Sequence, residues 1–469
     1  LPYYSSVTGL DPIRDFRFSS SVVIMDLIYS PLYKEQDDPS NILASVGTDD
    51  SRVWFFTLKP GLRFQDDPCF KQGRGREINA HDVRRAFLRA RIYYSLVDLR
   101  PVENIKEIRV LDSLHLKLEL YKPDPSFIKL LSSYRIRVIP QEALDRYGEN
   151  IRFHPTSSGP FKLASWNEQE ITLLRNENFW VTPLPYLDKI ILYPSKNPLA
   201  SFNEFLKGNL DASPIPSQLS QEIVQYNRKN KKFQLTPEYT KKGWKIISGN
   251  RLSLSYCDFF TISDSLVRQA LNFAINREKI ISRQANLFPA TSPLFKPYSR
   301  GFNYDPEKAR NLLVRAGYKE GKGLKKPFIL AAGSSAMSIA SIIRENLQEI
   351  GIQIEVKPTS WFGFQRKGRD MGIAAFSSLG HEIDSQLGIY RKPTFLRPND
   401  TISNLSHRLI NEKSEEKREL LARQLEKEIL KDPPLIYLFW RKKLLLVKSY
   451  VMNADGDRWG VSARLWLKR

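Results

Sequence analysis

Between Phe328 and Val356 the chain reads strand, helix, strand: Phe328-Ile329-Leu330-Ala331, an apolar stripe at Ile339, Ala340, Ile343, Leu347 and Ile350 stopped by Gly351, then Ile352-Gln353-Ile354-Glu355-Val356. The first run is too short for a helix, the stripe recurs every three or four residues, and the last run alternates with period two. Such a βαβ unit calls for a sheet flanked by helices. The residues before it agree. Ser263 or Asp264 can cap a helix whose buried face is Val267, Ala270, Leu271, Ala274 and Ile275. Asp305-Pro306-Glu307 supplies an N-cap, a proline at N1 and an acidic first turn, with Ala309, Leu312, Leu313 and Ala316 as the stripe and Gly317 as the stop. Downstream, Leu421, Leu425 and Ile429 mark a long helix halted by Asp432-Pro433-Pro434. The fold class read from this half is α/β.

The N-terminal part is patterned differently. Val22–Leu32 is an apolar stretch that can be helical as far as Pro31. Val53–Leu58, the turn Lys59-Pro60-Gly61 and Leu62-Arg63-Phe64 predict a hairpin. Asn79 can cap a helix with Val83, Ala86, Phe87 and Ala90 on one face, and residues 108–120 hold a run alternating through Leu114, Leu116, Leu118 and Leu120. Residues 53–121 therefore read as a small α+β unit. Strands at 171–174 and 189–193 and a short helix at 199–207 before Gly208 follow, whereas 213–255 shows little pattern.

Composition narrows the function classes. At roughly 150 residues per domain, 469 residues make about three domain-sized units, and 41% hydrophobic residues suffice for real cores. No apolar run approaches the ~18 residues of a membrane span, and Leu1-Pro2-Tyr3-Tyr4 has neither the basic nor the apolar region of a signal peptide; a removed leader is compatible with this start. The net charge of +21 is dispersed among acidic residues and no nucleic-acid motif accompanies it, so nucleic acid is not an expected partner. The two cysteines, Cys69 and Cys257, exclude a disulfide scaffold and leave a single bridge open. The five histidines are scattered without ligand spacing, so neither a metal nor a cofactor is expected. There is no G-x-S-x-G elbow, no phosphate loop and no G-x-G-x-x-G after a strand, which leans away from an enzyme. Trp361-Phe362-Gly363-Phe364, followed by Gln365-Arg366-Lys367, sets flat rings beside hydrogen-bond donors, either as core packing or as a ligand wall.

The motifs, in order, resemble the family 5 extracellular solute-binding proteins of ABC importers, the oligopeptide-, dipeptide- and nickel-binding group. The likeness begins at Leu10-Asp11-Pro12. Ile28-Tyr29-Ser30-Pro31-Leu32 is close to that family's "YEPL", residues 56–64 to "TFKLRxGVKF", and Ile78–Val83 to "LTAEDV". Ser158-Gly159-Pro160-Phe161-Lys162-Leu163 stands for "GTGPYKL", Arg175–Trp180 for "RNPDYW" and Lys207–Asp211 for "KSGEID". The strongest pieces are Val267–Arg277, with Ala270-Leu271-Asn272-Phe273-Ala274-Ile275-Asn276-Arg277, and Tyr304-Asp305-Pro306-Glu307-Lys308-Ala309-Arg310.

The resemblance implies a two-lobed periplasmic-binding-protein fold (class II, large) with an extra α+β subdomain in the first lobe. Lobe I would comprise 1–30, 152–255 and 441–469, the subdomain 31–151 and lobe II 256–440. It further implies a monomer at the periplasmic or extracellular face of the cytoplasmic membrane that captures a peptide or related ligand and delivers it to an ABC permease and its ATPase. Ligand contacts would come from Arg17 and Phe18 in the first lobe and from Trp361, Arg366, Phe376, Ser377, Glu382 and Asp384 in the second. Peptide-binding members carry an aspartate for the ligand's amino group; here Leu379 or Gly380 falls at that position, and Glu382 or Asp384 would substitute through a shift of the loop. The alternatives are a sensing module without a transport role and a binder of a non-peptide ligand. The +21 charge adds an expectation of attraction to anionic membrane surfaces.

Overall fold

The computed structural model describes the chain except residues 4–6, 16–18, 35–37, 93–99, 125–126, 132–135, 196, 228–231, 260, 283–286, 320–321, 325–326, 334–335, 360–369, 380–399, 413, 454–465 and 468–469. It divides into two compact units. The first comprises 1–216, 240–247 and 445–469, and the second 217–239 and 248–444.

Two sheets shape the first unit. One has the order β1-β8-β7-β6, where β1 is Pro2–Tyr3, β6 Phe161–Trp166, β7 Ile171–Arg175 and β8 Lys189–Pro194. The helix α1 (Ser19–Ile28) packs on its apolar face, with Ile24, Ile28, Phe161, Ile171, Leu173 and Ile190 buried together. The other is an antiparallel sheet of order β2-β3-β5-β4, made of Leu43–Thr48, Val53–Leu58, His115–Leu120 and Ile105–Val110. Against it lies α2 (Ala80–Ile92), started by Asn79, whose Oδ1 accepts the His81 and Asp82 amides at 3.0 and 3.3 Å. Phe56, Phe64, Phe87 and Phe127 fill the space between. The expected hairpin at 53–64 is not formed. Gly61 does turn the chain at φ +73°, but β3 pairs with β2 and β5, and Leu62–Phe64 contributes only the single bridge Arg63 to Glu77. The partners of β3 bring a longer ladder and a buried face, which a three-residue return cannot match.

In the second unit one sheet runs β13-β17-β12-β16-β14-β15: Leu287–Pro289, Leu435–Val447, Lys245–Phe259, Met371–Leu379, Phe328–Ala332 and Ile354–Pro358. The βαβ unit is present, with β14 parallel to β15 and α3 (Met337–Glu349) between them. Side chains leave β12 and β17 alternately into two cores. Cys257, Ile436 and Leu438 join Val267, Leu271, Leu313 and Ile343 on one side. Leu254, Tyr437 and Trp440 join Leu425 and Ile429 on the other. Covered on both faces, β17 is buried without a break from Leu435 to Trp440. The helices of the first core are capped as their sequences require. Asp264 accepts the Leu266 and Val267 amides and Asp305 accepts that of Lys308. Gly317 takes φ +88° after the second of these helices. Both cysteines are free, Cys257 fully buried, so the bridge left open by the sequence is absent.

The motif Ala274-Ile275-Asn276-Arg277 has a structural explanation. Arg277 is 3% exposed and, among the described residues, makes no ion pair. Its Nε donates to the carbonyls of Ala290 (2.7 Å) and Tyr437 (2.8 Å), and its Nη1 to those of Asn272 (3.0 Å), Ile275 (3.1 Å) and Phe302 (2.8 Å). Asn272 and Ile275 end the helix Ser265–Ala274, whose terminal carbonyls carry the negative end of the helix dipole. Burial pulls the Arg277 pKa down to about 9, and the side chain stays charged at neutral pH. Replacing Arg277 by Met would remove the guanidinium donors from five carbonyls, at roughly 1–3 kcal/mol for each left buried and unpaired. Arg277→Met should therefore lower the denaturation midpoint sharply, and Arg277→Lys should restore part of it, because one ammonium cannot reach all five. A Met variant as stable as the parent in a urea titration would refute this assignment.

Candidate functional site

In the second unit the strands β14, β15 and β16 all run in one direction, β14 pairing in parallel with both neighbours. Their carboxyl ends therefore lie along one edge of the sheet, where open α/β sheets hold their ligands. Trp361 and Arg366 come after the end of β15 in sequence, and Glu382 and Asp384 after the end of β16; all four lie outside the described residues. Phe376 and Ser377 are on β16 itself. The ladder there pairs Leu254 with Phe376 and Leu252 with Leu379, three steps on β16 against two on β12. The extra residue makes a bulge at Ser377–Ser378, a device that bends a strand and re-aims the residues beyond it. The start of β16 is fixed by Asp370, which is fully buried and accepts the Thr261 hydroxyl (2.5 Å) and the Ile329 amide (2.9 Å). The sequence reading missed Asp370; an acidic residue directly before an apolar strand was its only signal.

In the first unit Arg17 and Phe18 also lie outside the described residues, but both of their flanks are held. Asp11, 1% exposed, receives a bidentate pair from Arg89 at 3.0 and 2.5 Å and accepts the Ile13 amide at 3.0 Å. Asp15 pairs with Arg152 and accepts the Asp11 amide at 3.0 Å. The Tyr29 hydroxyl donates to the Leu10 carbonyl at 3.2 Å, and burial with Asp11 nearby holds its pKa well above the usual phenol range. Leu10-Asp11-Pro12 is thus a pin between the N-terminal segment and α2. On the far flank, Gly159 donates its amide to the Ile28 carbonyl at 2.8 Å and Ser30 donates to the Ser158 carbonyl at 3.0 Å. The buried hydroxyls of Ser21, Ser157 and Ser158 have no partner among the described residues and can serve a hydrogen-bonding ligand or water. A separate cavity of about 280 Å³ in this unit is lined by Leu187, Ile191, Tyr193, Asp211 and Val451 and contains none of the expected site residues. Among the described residues no three His, Cys, Asp or Glu side chains gather as a metal site.

The sequence and the fold are matched by known proteins. A family model for the bacterial extracellular solute-binding proteins, family 5, matches residues 40–392. The chain belongs to that family. The glutathione-binding protein GsiB of Salmonella typhi is 29% identical over 367 residues, covering 75% of this chain and 67% of its own. Among solved structures, DppA of Helicobacter pylori in complex with the peptide STSA superposes with a TM-score of 0.79 at 20% identity, covering 100% of this chain and 97% of its own. The dipeptide-binding protein of Pseudoalteromonas sp. SM9913 with Met-Leu gives 0.79 at 18% identity, covering both chains fully. The fold is that of the two-lobed periplasmic binding proteins, and family members are extracytoplasmic transport binders. No described helix is long and apolar enough to cross a membrane.

The closeness of Gly159 to α1 gives a test of the frame. A Cβ at Gly159 would sit 2.2 Å from the Ile28 carbonyl oxygen, whereas one at Gly47 would meet nothing within 4 Å. Gly159→Ala should cost about 1–3 kcal/mol of stability by overpacking, and Gly47→Ala well under 1 kcal/mol. Equal denaturation midpoints for the two variants would contradict the arrangement.

Proposed function

We propose that this chain is the substrate-binding component of a peptide-type ABC importer, which captures a short peptide or peptide-like ligand, does not transform it, and passes it to a permease driven by an ATPase. The observation that carries this reading is the shared edge of β14, β15 and β16, with the β16 bulge at Ser377–Ser378, inside a family 5 chain. Backbone groups at strand ends suit an extended ligand, since main-chain hydrogen bonds supply affinity without dictating side chains. The bound ligands named for its relatives, glutathione, the peptide STSA and Met-Leu, support that class. Solved structures with Ni(L-His) and with agropinic acid show that the same fold holds other small amphoteric solutes.

Arg17, Phe18, Trp361, Arg366, Phe376 and Ser377 line the ligand in this reading, and Glu382 or Asp384 meets its amine. Native mass spectrometry of the purified protein should find a co-purifying peptide, and calorimetry should then show binding of it or of glutathione or a dipeptide. No affinity for any di- to hexapeptide would end the peptide reading. Of Glu382→Gln and Asp384→Asn, the variant that removes the countercharge should weaken a free-amine peptide by about 30-fold or more, as loss of a buried charged partner does. The same variant should leave the N-acetylated peptide nearly unchanged. Equal losses for both ligands would show that neither carboxylate faces the amine.

A further inference from the structure

The chain's positive charge is not evenly spread. Residues 1–150 hold 22 Lys and Arg against 21 Asp and Glu, whereas residues 151–469 hold 50 against 30. Part of that excess gathers on one face of the first unit. The helix Pro198–Lys207 is capped by the Asn197 side chain, which accepts the Ala200 amide at 2.9 Å, and ends at Gly208 with φ +89°. It buries Ser201, Phe202 and Phe205 and leaves Leu199 and Leu206 38% and 46% exposed. Seven residues apart, these two leucines share one outward stripe. Beside it Trp244 packs edge-on against Phe205, with ring centroids 4.9 Å apart. The Lys448 ammonium stands 4.3 Å from the Phe205 centroid and 5.4 Å from that of Trp244, and that of Lys242 stands 5.1 Å from Trp244. Lys207 and Lys241 are exposed alongside. The carboxylates among these groups are engaged: Glu204 by Lys207 and Asn209, and Asp211 by the Tyr450 hydroxyl at 2.6 Å.

We propose that this face docks on an anionic bilayer, with Lys207, Lys241 and Lys242 on headgroup phosphates, Leu199 and Leu206 at the acyl boundary, and Lys448 held behind them by the Phe205 carbonyl at 2.9 Å. What marks this face is the pairing of the two outward leucines with lysines and with the Trp244 ring, an apolar stripe with a cationic rim. The cations are all lysines. Arginine's planar fork selects a fixed carboxylate, whereas a flexible point charge suits headgroups that move relative to one another. Tryptophan and tyrosine beside such lysines are the side chains that favour a membrane–water interface. The face also serves a protein that must meet a permease: search along the membrane plane replaces search through the volume.

The test is flotation of the full chain with vesicles of about 30% phosphatidylglycerol in phosphatidylcholine at low salt. A lysine at such a surface is worth roughly a fivefold gain in partition. Lys207→Gln, Lys241→Gln and Lys242→Gln together should therefore weaken partition about a hundredfold, with an unchanged melting midpoint showing that the fold is intact. Leu199→Ser with Leu206→Ser should weaken it less and make the remainder more sensitive to salt, since only the apolar part resists screening. The comparison set Arg315→Gln, Lys319→Gln and Lys427→Gln, on the second unit, should change partition less than threefold. Equal losses from both lysine sets would overturn the proposal in favour of a general charge effect. Undiminished binding of the first set would overturn it outright. Displacement by millimolar glycerol phosphate would show a site for free phosphate instead of a bilayer.

Discussion

A lone cation surrounded by neutral oxygens holds the second unit in register. Arg277 joins the end of one helix, the segments around Ala290 and Phe302, and the strand β17 at Tyr437. Only arginine offers five N–H donors in one rigid plane, and an ammonium or an amide would satisfy part of the set. An uncompensated charge in a dry core is costly, and here five carbonyl oxygens accept from the guanidinium and offset that cost. The consequences spread along the sheet. β17 neighbours β12, β12 neighbours β16, and β16 carries the bulge at Ser377–Ser378. Arg277 thereby acts on β16 through two intervening strands.

The first unit meets the same demand by a different means. Three buried or half-buried carboxylates, Asp11, Asp15 and Asp26, pair with Arg89, Arg152 and Arg137 respectively. Each pair links the N-terminal segment to a part of the chain at least 78 residues away, as the separation of Asp11 from Arg89 shows. Here the charge is neutralised locally, and the specificity lies in which carboxylate meets which arginine. Asp11 and Asp15 make the strongest cases, because their oxygens also accept a backbone amide, so each pair fixes the path of the chain as well as its position.

What the sequence made legible is what is decided locally. Asn79, Asp264 and Asp305 cap helices through atoms two or three residues away, and such spacing can be read without a structure. The strands β12 and β17 were not legible, for a physical reason. Both send residues into cores on either side of the sheet, which erases the alternation that marks a half-buried strand. Lys245, Arg251 and Arg441-Lys442-Lys443 also sit within them and suggest surface when read alone. Likewise the Pro60-Gly61 turn was read correctly as a turn and wrongly as a hairpin, because the partner of β3 is chosen by packing and not by proximity in sequence. The expected contact residues came from family likeness and not from local pattern, since a binding loop has no period to reveal it.

The motifs that made the family recognisable are mostly parts of the frame. Asp11 pins a segment, Gly159 allows a strand to pass close to α1, Asp305 starts a helix, and Arg277 gathers five carbonyls. Each is constrained by close neighbours that cannot move, so few substitutions fit. Phe376 and Leu379 are held in the ladder with β12 on either side of the bulge. Proteins 17–29% identical to this chain superpose or align over most of its length. Their bound molecules nonetheless include a tetrapeptide, a nickel–histidine complex and agropinic acid. Similarity of sequence here measures the frame. The ligand has to be read from the edge.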